Sequence, residues 1–170
     1  MLARNALIFR WFLYAAAALL CVFAQTAVLQ RVTIWGVIPF LYPAIAVIPA
    51  TFEDSVPGTV FALCAGVFCD LLLPAPFPCF YTLILPLAGL CAALLSQSVL
   101  PAGLGCSLTS TAIAFLFTGL FGCLSLWFRG KTDWSAGMFV ALREFLVTAP
   151  FVIPMTMLFR AVHRRVHRDD

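Results

Sequence analysis

Three charged residues lie inside long apolar stretches of this chain: Asp70, Arg143 and Glu144. In a membrane-spanning helix an ionisable side chain is costly, so it is by default a candidate for function or for a specific pairing. We predict an intramembrane ion pair in this set. Arg143 is the preferred partner of Asp70, because a guanidinium fork can hold both carboxylate oxygens. In the alternative, Arg143 extends to the outer headgroups. Asp70 then faces a wet crevice alone, or serves a partner or ligand.

The histidine and cysteine residues form no recognisable catalytic or metal-binding pattern. His163 and His167 stand four residues apart, but they lie among arginines, so we interpret them as part of a solvated basic face. The arginines that we expect to contact anionic lipid headgroups are Arg160, Arg164, Arg165 and Arg168. The seven cysteines are scattered and form no CxxC motif and no cluster with histidine. We therefore interpret them as small, buried hydrophobic residues.

Sequence signatures of catalysis are missing as well. The chain contains no HExxH, no GxSxG, no P-loop and no dinucleotide fingerprint, and no histidine falls in a predicted span. We therefore predict that the protein is not an enzyme, and that it has no cofactor, no metal and no small-molecule substrate.

The composition is that of an integral membrane protein. Of 170 residues, 64% are hydrophobic and only 10% are charged, and the mean hydropathy is +1.07. A soluble domain of this size has about a quarter of its residues charged, so this chain has too little polar surface to face water. The net charge of +3 comes mostly from residues near the chain ends and does not indicate nucleic-acid binding.

Six apolar runs predict an all-α, compact six-transmembrane-helix bundle that forms a single polytopic membrane domain over residues 1–170. The predicted spans are approximately 11–29, 34–50, 58–73, 79–100, 106–128 and 137–159, followed by a basic tail at 160–170. We interpret the first run as a retained span rather than a cleaved signal peptide, because it is long and further spans follow. Pro39, Pro43 and Pro49 interrupt the second run, so its helix is expected to be kinked or to start late.

An even number of spans places both termini on one side of the membrane, and the distribution of basic residues predicts which side. Six basic residues lie near the termini, whereas the turns on the opposite side contain three, namely Arg31, Arg129 and Lys131. Because cytoplasmic segments carry the excess of lysine and arginine, we expect both termini to be cytoplasmic.

Small residues recur at every fourth position of the third predicted span: Gly58, Ala62 and Gly66, followed by Asp70. Residues four apart lie nearly above one another on a helix, so these four form one stripe. Small residues let the backbones of neighbouring membrane helices approach closely. We therefore predict that the stripe is a helix-packing or partner interface.

The region from residue 38 to residue 73 resembles the MreD family, the integral-membrane subunit of the bacterial rod-shape (elongasome) system. The third span of that family typically has a Gly start, a Phe-x(3,4)-Gly and an Asp-Leu-Leu. The residues at these positions here are Gly58, Phe61, Gly66, Asp70, Leu71 and Leu72. The length, the six-span plan, the late Thr148-Ala149-Pro150 and the basic tail are also similar. The chain departs from the family after Leu73, because the usual Pro-Leu-Gly turn is replaced by Pro74–Cys79.

This resemblance implies a non-enzymatic membrane scaffold of cell-wall elongation in the bacterial cytoplasmic (inner) membrane. Such proteins are similar in architecture to the substrate-binding subunits of energy-coupling-factor vitamin transporters. They associate with MreC, and through it with MreB filaments and the RodA and PBP2 peptidoglycan synthases. The alternative function is a vitamin-binding transporter subunit, in which Asp70, Arg143 and Glu144 would be ligand contacts, although a solute site usually needs more polar groups. A membrane enzyme without a recognisable motif is a third hypothesis.

Overall fold

The computed structural model describes residues 2–98, 100–130 and 134–166, with side chains from residue 9 onward. Its helices are α1 (Leu2–Ala27), α2 (Tyr42–Val47), α3 (Ser55–Leu72), α4 (Phe80–Ser98), α5 (Leu104–Phe128) and α6 (Trp134–Val166). Five helices are long and apolar enough to cross a membrane, and no strand forms among the described residues. The chain is thus an all-helical bundle suited to a membrane, as its composition predicts.

The second predicted span is not a long helix, which corrects the expectation of six helical spans. Its helix starts late, at Tyr42, and α2 has only 6 residues, or about 9 Å of rise. A second short turn of 3-10 helix occupies Pro49–Thr51. Prolines at the second position of α2 and the first of the 3-10 turn fit there, because the first turn of a helix needs no N–H donor. All residues of α2 are buried.

Although α2 is short, the segment that contains it runs back through the bundle. The Gln25 side chain of α1 contacts the backbone at Pro39 and Leu41, whereas Glu53 contacts Tyr14, nearer the start of α1. Gln25 and Tyr14 are separated by 11 helical residues, or about 16 Å. The chain therefore returns along α1 between residues 39 and 53, partly as extended backbone and partly as short helix.

The two ends of the bundle are defined by these and similar contacts. At the near end, Tyr14 of α1, Glu53 and His163 of α6 meet. At the far end lie the turns that follow α1, α3 and α5. The first half of α1 and the last turns of α6 are therefore at the same end. Helix α6 continues through the first part of the predicted tail to Val166. Arg160, Arg164 and Arg165 lie on its last turns and are exposed. Arg168 lies outside the described residues.

The small-residue stripe of α3 packs closely against α4 and, at Gly58, against the 3-10 turn at Pro49–Thr51. Gly58, Ala62 and Gly66 are all buried. A Cβ atom built on Gly66 would lie 2.7 Å from the carbonyl oxygen of Tyr81, and one built on Gly58 would lie 2.9 Å from the Cα atom of Ala50. The stripe thus serves packing inside this chain, and its buried side is not available to a partner.

The α5–α6 hairpin is longer than the rest of the bundle. Helices α3 and α4 have 18 and 19 residues, or about 27 Å each, whereas α5 and α6 have 25 and 33 residues, or about 37 and 50 Å. The additional length extends beyond the far end, and we call residues 118–130 and 134–146 the outer hairpin.

Candidate functional site

The carboxylate of Asp70 caps the first turn of α4. Its oxygens accept hydrogen bonds from the backbone N–H groups of Tyr81 (3.0 Å) and Thr82 (2.8 Å) and from the Thr82 hydroxyl (2.6 Å). The first N–H groups of a helix have no partner within the helix, and the helix dipole favours a negative charge at that end. Asp70 lies in the last turn of α3, so it joins the far ends of α3 and α4 across the turn between them.

The predicted ion pair between Asp70 and Arg143 is not formed. Both Asp70 oxygens are engaged by α4, and the guanidinium of Arg143 lies 4.5 Å from the centre of the Phe139 ring. Arg143 is exposed and leans toward the first residues of α6, as helical side chains do, and thus toward the far surface. The backbone N–H groups at the start of α4 take the place that the prediction gave to Arg143.

A second polar cluster supplies hydrogen bonds to the non-helical backbone just before α2. The Gln25 amide donates to the carbonyl of Pro39 (2.7 Å) and accepts from the N–H of Leu41 (3.1 Å), and the Thr148 hydroxyl accepts from the N–H of Phe40 (3.0 Å). Gln25 and Thr148 are both buried. Unpaired backbone groups are costly in hydrocarbon, so these two side chains make the non-helical stretch tolerable inside the bundle.

A third cluster lies at the near end, around the buried carboxylate of Glu53. Arg10 forms an ion pair with Glu53. The Tyr14 hydroxyl donates to Oε1 of Glu53 (2.7 Å), and Nδ1 of His163 lies 3.4 Å from the same oxygen. The His163 ring also packs 5.7 Å from the ring of Phe52. The cluster ties α1 and α6 to the turn before α3, and so it joins distant parts of the sequence.

Sequence reasoning missed the second and third clusters. Neither Glu53 nor Arg10 belongs to a pattern that indicates a site, and His163 was interpreted as part of a solvated basic face. Their burial depends on α1 and α6 meeting over the turn, which no local pattern reveals. Pro39 did carry a usable signal, because a proline in an apolar run leaves backbone groups that need polar side chains elsewhere.

Glu144 is the remaining charged residue of the predicted set. It lines a cavity of about 310 Å³ between α5 and α6 and an adjoining one of about 270 Å³, which Pro74, Pro76 and Tyr81 also line. The carboxylate makes no hydrogen bond or ion pair with any described residue. Of the three residues proposed for the ion pair, Asp70 therefore serves α4, Arg143 faces outward and Glu144 faces a groove.

Another groove of similar size is apolar. It holds about 250 Å³ between α1, α2 and α3, and its lining includes Leu19, Ile45 and Phe68. Within the described ranges, no group of three His, Cys, Asp or Glu side chains could hold a metal ion. Cysteines in these ranges are unpaired. Comparisons with models of protein families, with curated proteins and with solved structures find no match to this chain.

Proposed function

We propose that this protein is a non-enzymatic membrane scaffold of the MreD type, which pairs with MreC to position peptidoglycan synthesis during cell elongation. The observation that supports it best is the use of Asp70, the one charged residue of the motif resembling that family. The carboxylate accepts three hydrogen bonds from α4 of the same chain. Because this charge holds α3 and α4 together, the motif has a structural role. Such a role is what we expect of a scaffold, which presents a rigid surface to its partner.

The polar interior supports a scaffold over a solute carrier. A solute site usually needs several polar groups that converge in a pocket. Here Gln25, Thr148 and Glu53 are engaged by the backbone or by neighbouring side chains, and the groove between α1 and α3 is lined by apolar residues. Glu144 is a single carboxylate in its groove.

The test is co-purification in mild detergent of a tagged form of this protein with MreC from the same genome, expressed together. We expect MreC to elute with the tagged chain and to be absent from a control with a tagged, unrelated multi-pass protein. Recovery of an ATPase pair in place of MreC would refute the scaffold function and favour the vitamin-transporter alternative.

The proposed orientation has a separate test. With both termini cytoplasmic, a reporter that is active only in the cytoplasm should be active when it is fused after Asp170. Activity of a periplasm-specific reporter at the same site would contradict this orientation. The far end of the bundle, with Asp70 and the outer hairpin, faces the periplasm in this proposal.

A further inference from the structure

The outer hairpin extends well beyond the point where the other helices end. The backbone of Phe40 bonds to Thr148, and its ring lies 6.3 Å from Phe115 and 6.4 Å from Tyr81, so these residues share one level. From that level α6 continues for 14 residues to Trp134, and α5 for 13 residues to Phe128. Each extension is about 20 Å long. Helix α3 ends only two residues after Asp70.

Large apolar side chains on this extension are exposed. They are Trp127, Phe128, Trp134, Phe139, Val140, Leu142 and Leu146. The α3–α4 pair, at about 27 Å, already matches a hydrocarbon core of about 30 Å, so much of the extension lies at or beyond the membrane boundary. Exposed apolar surface of this extent at such a position marks an interaction site.

The groove between α5 and α6 lies on this surface. The two helices are in close contact at its bottom, and Glu144 is the charged residue in its lining. Gly119 and Gly137 allow α5 and α6 to touch. A Cβ built on Gly119 would lie 2.7 Å from that of Ala141, and one built on Gly137 would meet the sulfur of Cys123. Near this floor, Glu144 lines the groove with Thr118 and Val140. Its carboxylate is half-buried and has no partner among the described residues.

We propose that this groove receives an apolar, membrane-anchored helix of a partner protein, which places a basic or amide side chain against Glu144. The inference rests on the proposed function and names the partner surface of that scaffold. A partner that donates to the carboxylate supplies the hydrogen bond that the half-buried Glu144 lacks among the described residues. The exposed apolar rows on either side supply the contact area.

Charge also selects this occupant over two others. An anionic lipid headgroup is repelled by the carboxylate of Glu144. A second copy that docks with two-fold symmetry brings the same groove to the same groove, and the two Glu144 carboxylates then face each other. A helix of a different protein has neither conflict.

The experiment places a photo-crosslinking amino acid at Val140, beside Glu144, in the tagged chain expressed with MreC. The matched control places it at Leu83, which is at least as exposed (58% against 49%), belongs to α4 and lies next to Thr82 at the level of Asp70. We expect a crosslink to the membrane helix of MreC from position 140 and none from position 83. Each variant is accepted only when it elutes as a single, monodisperse species.

Charge variants in the Val140 background test the role of the carboxylate. Glu144→Lys should reduce the crosslink about tenfold, since a tenfold loss corresponds to only about 1.4 kcal/mol. Glu144→Gln, which still accepts a hydrogen bond, should retain most of it. Arg143→Gln, on the neighbouring exposed position, should leave it unchanged.

Different results would refute the docking site and the scaffold function. If MreC co-purifies but crosslinks only from position 83, or crosslinks equally well with Glu144→Lys, the groove is not its site and the scaffold function stands. A crosslinked dimer of this chain from position 140 also overturns the inference. If MreC does not co-purify with the unmodified chain, the proposed function fails and the inference fails with it.

Discussion

Replacement of Asp70 by alanine should destabilise the bundle by removing the acceptor at the start of α4. The change leaves the N–H groups of Tyr81 and Thr82 without their partner. A buried donor left unsatisfied costs about 1–3 kcal/mol, and loss of a helix cap costs about 1 kcal/mol. Because Asp70 is only half-buried, we expect a total near the lower part of this range, about 2 kcal/mol.

Asparagine at the same position separates hydrogen bonding from charge. Asparagine caps helices about as well as aspartate, so Asp70→Asn should cost less than about 1 kcal/mol. The control is Leu71→Ala, because Leu71 is adjacent and 79% exposed, so its truncation should leave the start of α4 intact. We expect the free energy of unfolding to fall in the order unmodified, Leu71→Ala, Asp70→Asn, Asp70→Ala.

The assay is reversible unfolding in mixed detergent micelles with increasing SDS, followed by circular dichroism. A double-mutant cycle with Thr82→Val should give a coupling of at least about 0.5 kcal/mol, because Thr82 donates directly to the carboxylate. The reasoning is refuted if Asp70→Ala is no more destabilising than Leu71→Ala. The double variant Asp70→Arg with Arg143→Asp gives a second test. If it is as stable as the unmodified protein, Asp70 and Arg143 form the ion pair that the structure lacks, and the capping role is refuted.

Three further changes test the packing stripe and the two buried clusters. Gly66→Leu should abolish monodisperse protein in size-exclusion chromatography, because its side chain meets the Tyr81–Thr82 backbone, whereas the exposed Leu72→Val should not. Glu53→Gln should lower the free energy of unfolding by about 2–3 kcal/mol by leaving Arg10 without its counter-charge. Arg10→Gln in addition should recover part of the loss, and no recovery would contradict the pairing. The Thr148→Val variant should cost about 1–2 kcal/mol, and an unchanged midpoint in SDS would exclude the Thr148 bond to the backbone.

The long helices could be predicted because hydropathy is a local property of the sequence. The prolines of the second run predicted a kink or a late start, and its helix does start late, at Tyr42. The stripe at Gly58, Ala62 and Gly66 could be predicted because its period is that of one helix. What it packs against, Ala50 and the backbone at Tyr81, depends on the turns that connect the elements.

The roles of the charged residues could not be predicted from the types of side chain alone. Arg143 was the predicted partner of Asp70 because a guanidinium holds both carboxylate oxygens, yet the donors that bond to Asp70 are main-chain groups just across a turn. Counting the unpaired N–H groups at each predicted helix start would have identified this partner. The burial of Glu53 had no such signal, because its partners Arg10 and His163 are brought to it by the whole topology.

The Thr148 bond to the non-helical stretch before α2 constrains the order in which the protein can be assembled. Thr148 follows Phe40 by 108 residues. At about 5–20 residues per second of synthesis, the N–H of Phe40 waits about 5–20 seconds for this acceptor. A bare backbone group is not stable in hydrocarbon, and Glu53 meanwhile lacks His163. The segment around Phe40 is therefore less stable inside the bundle until α6 is made, although Gln25 of α1 can already bond its neighbours Pro39 and Leu41. The last helix thus completes a segment that is synthesised second.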